Sequence, residues 1–96
     1  MRMDKNKIVE LVGKYSDCQI EELYENHEVM GNYCCITSDY QKDKGDDGED
    51  VWSSNCLGLV EHIRKFENIK NFTNETHLDN EKDCLFYECI SFEWED

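Results

Sequence analysis

Cys84-Leu85-Phe86-Tyr87-Glu88-Cys89-Ile90-Ser91-Phe92-Glu93-Trp94 is the stretch on which the fold turns. Its even positions read Cys, Phe, Glu, Ile, Phe, Trp and its odd positions Leu, Tyr, Cys, Ser, Glu, so both faces begin apolar and the odd face turns polar. A period of two with apolar residues on both sides is the pattern of a strand in the interior of a sheet. We therefore expect Cys84 to Trp94 to lie at the centre of a small antiparallel sheet, with Trp94 directed into the core.

Tyr33 to Ser38, rich in Tyr, Cys, Ile and Thr, predicts a partner strand, with Gly31-Asn32 as a possible turn before it. Three helices are expected around this sheet. Ile8, Leu11, Val12 and Tyr15 recur at helical spacing behind Asp4, an N-cap residue, and predict a helix from Asp4 to Tyr15. Ser16-Asp17-Cys18-Gln19 has the form of a capping box, and Ile20, Leu23, Tyr24 and His27 repeat the spacing, which predicts a second helix at once. Trp52 precedes a third, capped by Ser53 or Ser54, with Cys56, Leu59, Val60, Ile63 and Phe66 as its apolar stripe. Glu67 to Asp83 reads as a polar connection holding one short strand, with a turn at Asp79-Asn80.

Asp39 to Asp50 contains two glycines, two lysines, six acids and no large apolar residue besides Tyr40, so burial cannot offset the entropy of ordering it. It is expected to be an exposed acidic loop. The fold class expected is α+β: about three short helices packed on a small antiparallel sheet, in a single globular domain covering 1–96.

The net charge is −13, and it is regional. Eleven acids stand against two lysines between Asp17 and Asp50, and eight against one between Glu75 and Asp96, while Met1 to Lys14 is net basic. Concentrated like charge lowers stability through self-repulsion and repels nucleic acid and anionic membrane. Direct nucleic-acid binding is excluded on that ground; a recognition helix carrying Glu21, Glu22, Glu25 and Glu28 would face phosphates with the wrong sign. No window approaches the roughly 18 consecutive apolar residues of a membrane span, and no export signal is recognised, which leads us to expect a cytoplasmic protein with reduced thiols.

No catalytic motif is found. Cys18 and Cys56, each placed in the first turn of an expected helix, are conceivable nucleophiles with His27 or His62 as base, but no nucleophile motif accompanies them. Asp43 to Asp50 places Asp47 and Gly48 as a calcium loop would, yet Gly45 and Ser54 occupy positions that need carboxylates. Zinc finds no Cys-x-x-Cys pair; Cys34 and Cys35 are adjacent, and Cys84 and Cys89 differ by an odd number, so within each pair the side chains point to opposite faces of a strand. The chain is expected not to be an enzyme and to hold no metal or cofactor.

What remains is the acidity. On a helix, Asp17, Glu21, Glu25 and Glu28 would form one stripe, with successive acids roughly 6 Å apart along the axis, within a factor of two of the phosphate rise on one DNA strand. With Asp43, Asp46, Asp47, Glu49 and Asp50 of the acidic loop, and Trp52 as an aromatic anchor beside it, these residues make up the expected partner-binding surface. The expected partner is a basic protein, a nucleic-acid-binding effector or nuclease, whose nucleic-acid site the chain would block. In size and charge the chain is similar to the phage-encoded anti-defence inhibitors, the anti-CRISPR and anti-restriction DNA mimics, and that resemblance implies competitive occupation of a nucleic-acid groove. An immunity protein or antitoxin neutralising a basic toxin would use the same electrostatics, and a small zinc-binding or thiol-dependent protein is the alternative from another class.

Overall fold

A computed structural model gives the architecture. It describes residues 1–15, 17–39, 41–44, 46–53, 56–79 and 85–96, of which 39, 41–44, 50–53, 56, 78–79 and 85–86 are described by backbone only. In chain order the elements are α1 (Lys5–Val12), β1 (Cys18–His27), β2 (Gly31–Asp39), β3 (Gln41–Lys44), β4 (Asp50–Ser53), α2 (Cys56–Ile63), β5 (Ile69–Asp79) and β6 (Leu85–Trp94). The main sheet is antiparallel with strand order β1-β2-β6-β5, so the apolar C-terminal stretch is indeed an interior strand. The fold is α+β, but with two helices among the described residues rather than three.

The even residues of β6 and the matching residues of β2 build one face. Cys34 is paired with Phe92 and Ile36 with Ile90, and all four are buried together with Trp94. Both helices contribute to the core on this face: Ile8, Leu11 and Val12 from α1, and Leu59, Val60 and Ile63 from α2. The Asp4 carboxylate accepts the amide of Lys7 at 2.8 Å, satisfying one of the donors that a helix start leaves open. α1 ends sooner than its spacing predicts: past Gly13 the chain tightens into turns, yet Tyr15 still packs on the core. Gly58 makes room for it, since a Cβ there would lie 3.3 Å from the Tyr15 ring.

The expected second helix is strand β1. Its apolar spacing has a definite cause, a bulge. Ile20 is opposite Ile36 and Leu23 opposite Cys34, so the partner strand advances two residues while β1 advances three. The extra residue at Glu21/Glu22 converts an i,i+2 spacing of inward side chains into the i,i+3 spacing of a helix. β5 repeats the device. Its register slips between Lys70 and Thr73, Asn71 has a positive φ of 52°, and Ile69 and Phe72 both reach the core three residues apart. An eleven-residue strand thus stands where a mostly irregular connection was expected. The Ser16 cap, the Ser54 cap and the turn at Asn80 lie outside the described residues.

The segment expected as a loop, 39–50, carries the end of β2, all of β3 and the start of β4. β3 and β4 pair as a hairpin with Lys44 opposite Asp50 and Lys42 opposite Trp52. Its turn is exposed as expected, at Asp46, Asp47, Gly48 and Glu49, and the Asp47 carboxylate accepts the Glu49 amide at 3.0 Å.

Asn68 ties the two ends of the chain together. Buried, it accepts the Met3 amide at 2.6 Å and donates to the carbonyls of Met3 and Glu95, while its own carbonyl accepts the Glu95 amide at 3.0 Å. Among the described residues, no helix is long and apolar enough to cross a membrane.

Candidate functional site

With both helices contributing to the core on one side, the other side of the sheet carries no helix among the described residues. Three rows cross all four strands there: Tyr24, Tyr33, Glu93 and Lys70; Glu22, Cys35, Ser91 and Thr73; Gln19, Thr37, Cys89 and Glu75. Asp39, Tyr87 and His77 form a shorter fourth row. None of the described side chains in these rows is buried.

The face has two aromatic ends and a polar middle. Tyr24 stacks on Tyr33 with centroids 6.5 Å apart, and its ring lies 4.9 Å from His27. His77 stacks on Tyr87 at 5.3 Å. Tyr33 and Tyr87 sit three rows apart, roughly 20 Å along the strands. Tyrosine offers large, rigid contact area with a hydrogen-bonding tip, which suits such a surface to a partner. Carboxylates line the edges: Glu21 and Glu22 at the β1 bulge, and Glu75 on β5. Glu21 is held in place by Thr37 and Gln19, which donate to its Oε1, each at 2.9 Å. Lys70, a basic residue in the first of these rows, lies 3.7 Å from Glu95.

The expected stripe of Asp17, Glu21, Glu25 and Glu28 does not exist as a stripe. Asp17 precedes β1 and Glu28 is exposed in the turn after it. Glu21 and Glu25 face opposite sides of the sheet. The Glu25 carboxylate accepts the Lys5 amide at 3.0 Å, at the first turn of α1, where negative charge favours the helix. It has a structural role that sequence reasoning missed. Asp46, Asp47 and Glu49 gather at the hairpin turn, with Asp43 and Asp50 on its strands. Trp52 is on β4, and its side chain lies outside the described part.

Of the two thiols expected in the first turns of helices, Cys56 does open α2, its side chain lying outside the described part, whereas Cys18 does not. Cys18 opens a strand instead of a helix, and burial first, then Asp17, pushes its pKa up, against a lowering hydrogen bond with Ser38. It is no activated thiolate. His27 lies at the far end of the same ten-residue strand, roughly 30 Å away, and its Nδ1 accepts the amides of Val29 and Met30. That rules out His27 as the base for Cys18. Cys35 and Cys89, by contrast, meet on the open face with their Sγ atoms 3.5 Å apart. Burial, then contact with Cys89, then Glu22 and Glu21 push the Cys35 thiol up to about 12. Among the described residues, no group of three or more His, Cys, Asp or Glu is placed to hold a metal ion.

On the covered face a polar row crosses the sheet at one end: Cys18, Ser38, Glu88 and Thr76. Glu88 is buried and accepts from Thr76 Oγ1 at 2.7 Å. A Glu at an even position of an otherwise apolar face was the signal for this row.

Comparison with family models, curated proteins and solved structures finds no match to this chain.

Proposed function

We propose that this protein is a small acidic inhibitor that docks on a basic nucleic-acid-binding protein and blocks its nucleic-acid site, in the manner of phage anti-defence proteins. The observation that carries the reading is the open face itself: three tyrosines in two clusters, framed by Glu21 and Glu22 on one edge strand and Glu75 on the other. The aromatic clusters supply desolvated contact area and the carboxylates select a basic partner and steer its approach. Glu28 in the β1–β2 turn and Asp46, Asp47 and Glu49 in the hairpin turn extend the acidic surroundings. Glu25 is not assigned to the docking set, because it caps α1. The docking role of Asp17, Asp43, Asp50 and Trp52 remains part of the same proposal.

The test is competition. Labelled duplex is bound to each of a panel of basic effectors, namely RNA-guided nucleases, restriction endonucleases and nuclease toxins, and the purified chain is added. Displacement at about 0.15 M salt that weakens steeply as salt rises supports the reading. Replacing Glu21, Glu22 and Glu75 by Gln should abolish displacement while leaving the fold intact. Displacement that survives the triple change removes the open face as the docking surface, and no displacement from any effector removes the function.

A further inference from the structure

We infer that Cys35 and Cys89 together form a bidentate site for a soft divalent cation of the zinc and cadmium class, at the middle of the open face. The two residues lie diagonally on neighbouring central strands: Cys35 is opposite Ser91, and Cys89 is opposite Thr37. Their Sγ atoms are 3.5 Å apart. Two zinc–sulfur bonds of about 2.3 Å meeting at a tetrahedral angle span about 3.8 Å, so the sheet already presents a chelating edge that needs only a small side-chain adjustment. Pairs of cysteines brought this close by strand register are rigidly placed, because β2 and β6 are the interior strands of the sheet.

Access and charge agree with this. Both thiols are half-buried rather than enclosed, and among the described residues no helix covers the face. Binding follows M²⁺ + 2 RSH → M(SR)₂ + 2 H⁺, in which each thiol gives up its proton and forms one metal–sulfur bond. The local charge is the same before and after, whereas a monovalent ion would leave an added negative charge beside Glu21 and Glu22. Those carboxylates, with Glu75 in register with Cys89 from the other side, draw a divalent cation towards the pair. The pair supplies two of the four positions such an ion takes, and water takes the others in the isolated chain. The site stands independently of the docking reading, since the ion needs no partner.

Cadmium is the probe. The reduced full-length chain is titrated with Cd²⁺ while the ultraviolet thiolate-to-cadmium charge-transfer band is followed. The band should saturate at one ion per chain, vanish in Cys35→Ser and in Cys89→Ser, and persist in Cys18→Ser, whose thiol belongs to the covered face. Alkylation of the unsubstituted chain with N-ethylmaleimide, mapped by mass spectrometry, tests the same point without a variant: cadmium should protect Cys35 and Cys89 and leave Cys18 reactive. A band that fails to saturate at one equivalent, one that survives both substitutions, or protection at other cysteines alone overturns the site.

Discussion

One four-stranded sheet presents two faces made by the same alternation, and they differ in what covers them. On the helix side, Cys34, Ile36, Ile90, Phe92 and Trp94 are buried against α1 and α2. On the other, their immediate neighbours Tyr33, Cys35, Cys89, Ser91 and Glu93 keep contact with water. The first face supplies the free energy of folding, because apolar area removed from water is the dominant favourable contribution. The second is free to carry side chains chosen for something else, and it carries tyrosines, thiols and carboxylates. A sheet built this way separates stability from recognition by a single residue step along each strand.

Breaking that separation should give graded losses. Phe92→Ala, on the covered face, is expected to cost about 3–5 kcal/mol in urea unfolding, while Tyr33→Ala one residue row away on the open face should cost about 1 kcal/mol, mostly its stacking on Tyr24. Equal losses at both positions would mean that the open face is covered in solution. Asn68→Ala should cost about 1–3 kcal/mol, because the Met3 amide and carbonyl are left unpaired in a buried place; the same experiment measures it.

Thiols of both faces shape the response to alkali, Cys35 on the open face and Cys34 on the covered one. Burial, helped by Cys35, pushes the Cys34 thiol from its ordinary 9.0 up to about 12. The folded pKa is the higher, so the contribution is complete below 9.0 and is lost as pH rises towards about 12. Within that window the unfolded chain has released a proton that the folded chain keeps, and stability should fall by up to about 1.4 kcal/mol per pH unit for this thiol. Cys34→Ala should remove its share of that slope and leave the share of Cys35, whatever it costs at neutral pH; an unchanged slope would show that Cys34 does not contribute.

The smallest effects sharpen the difference between two glutamates of one strand. Glu25→Gln should lower stability by about 0.3–1 kcal/mol through the α1 start, with docking unchanged. Glu21→Gln should leave stability within about 0.5 kcal/mol and weaken docking. A reversed pattern would exchange their roles.

Much of this fold was legible from residues. Asp4 as a cap, the core side chains of both helices, the β2 strand, and β6 as an interior strand with Trp94 inward all follow from spacing and cap chemistry. Two strands were not legible, and for one reason. A bulge adds a residue to the outward side, so Ile20 and Leu23 in β1, like Ile69 and Phe72 in β5, adopt the spacing of a helix or of no element at all while pointing to the same core. Local pattern cannot reveal a bulge, because the extra residue is defined only against the partner strand.

The amino-acid sequence by itself determined the charge and its regional clustering, the α+β class and the identity of most of the core, because composition and periodicity are local properties of the chain. Tertiary structure alone decided which carboxylates share a surface, that Glu25 serves α1 rather than a partner, and that Cys35 and Cys89, far apart in the chain, lie in contact. Register between strands is a long-range choice, and every neighbour on the open face is a neighbour only through it.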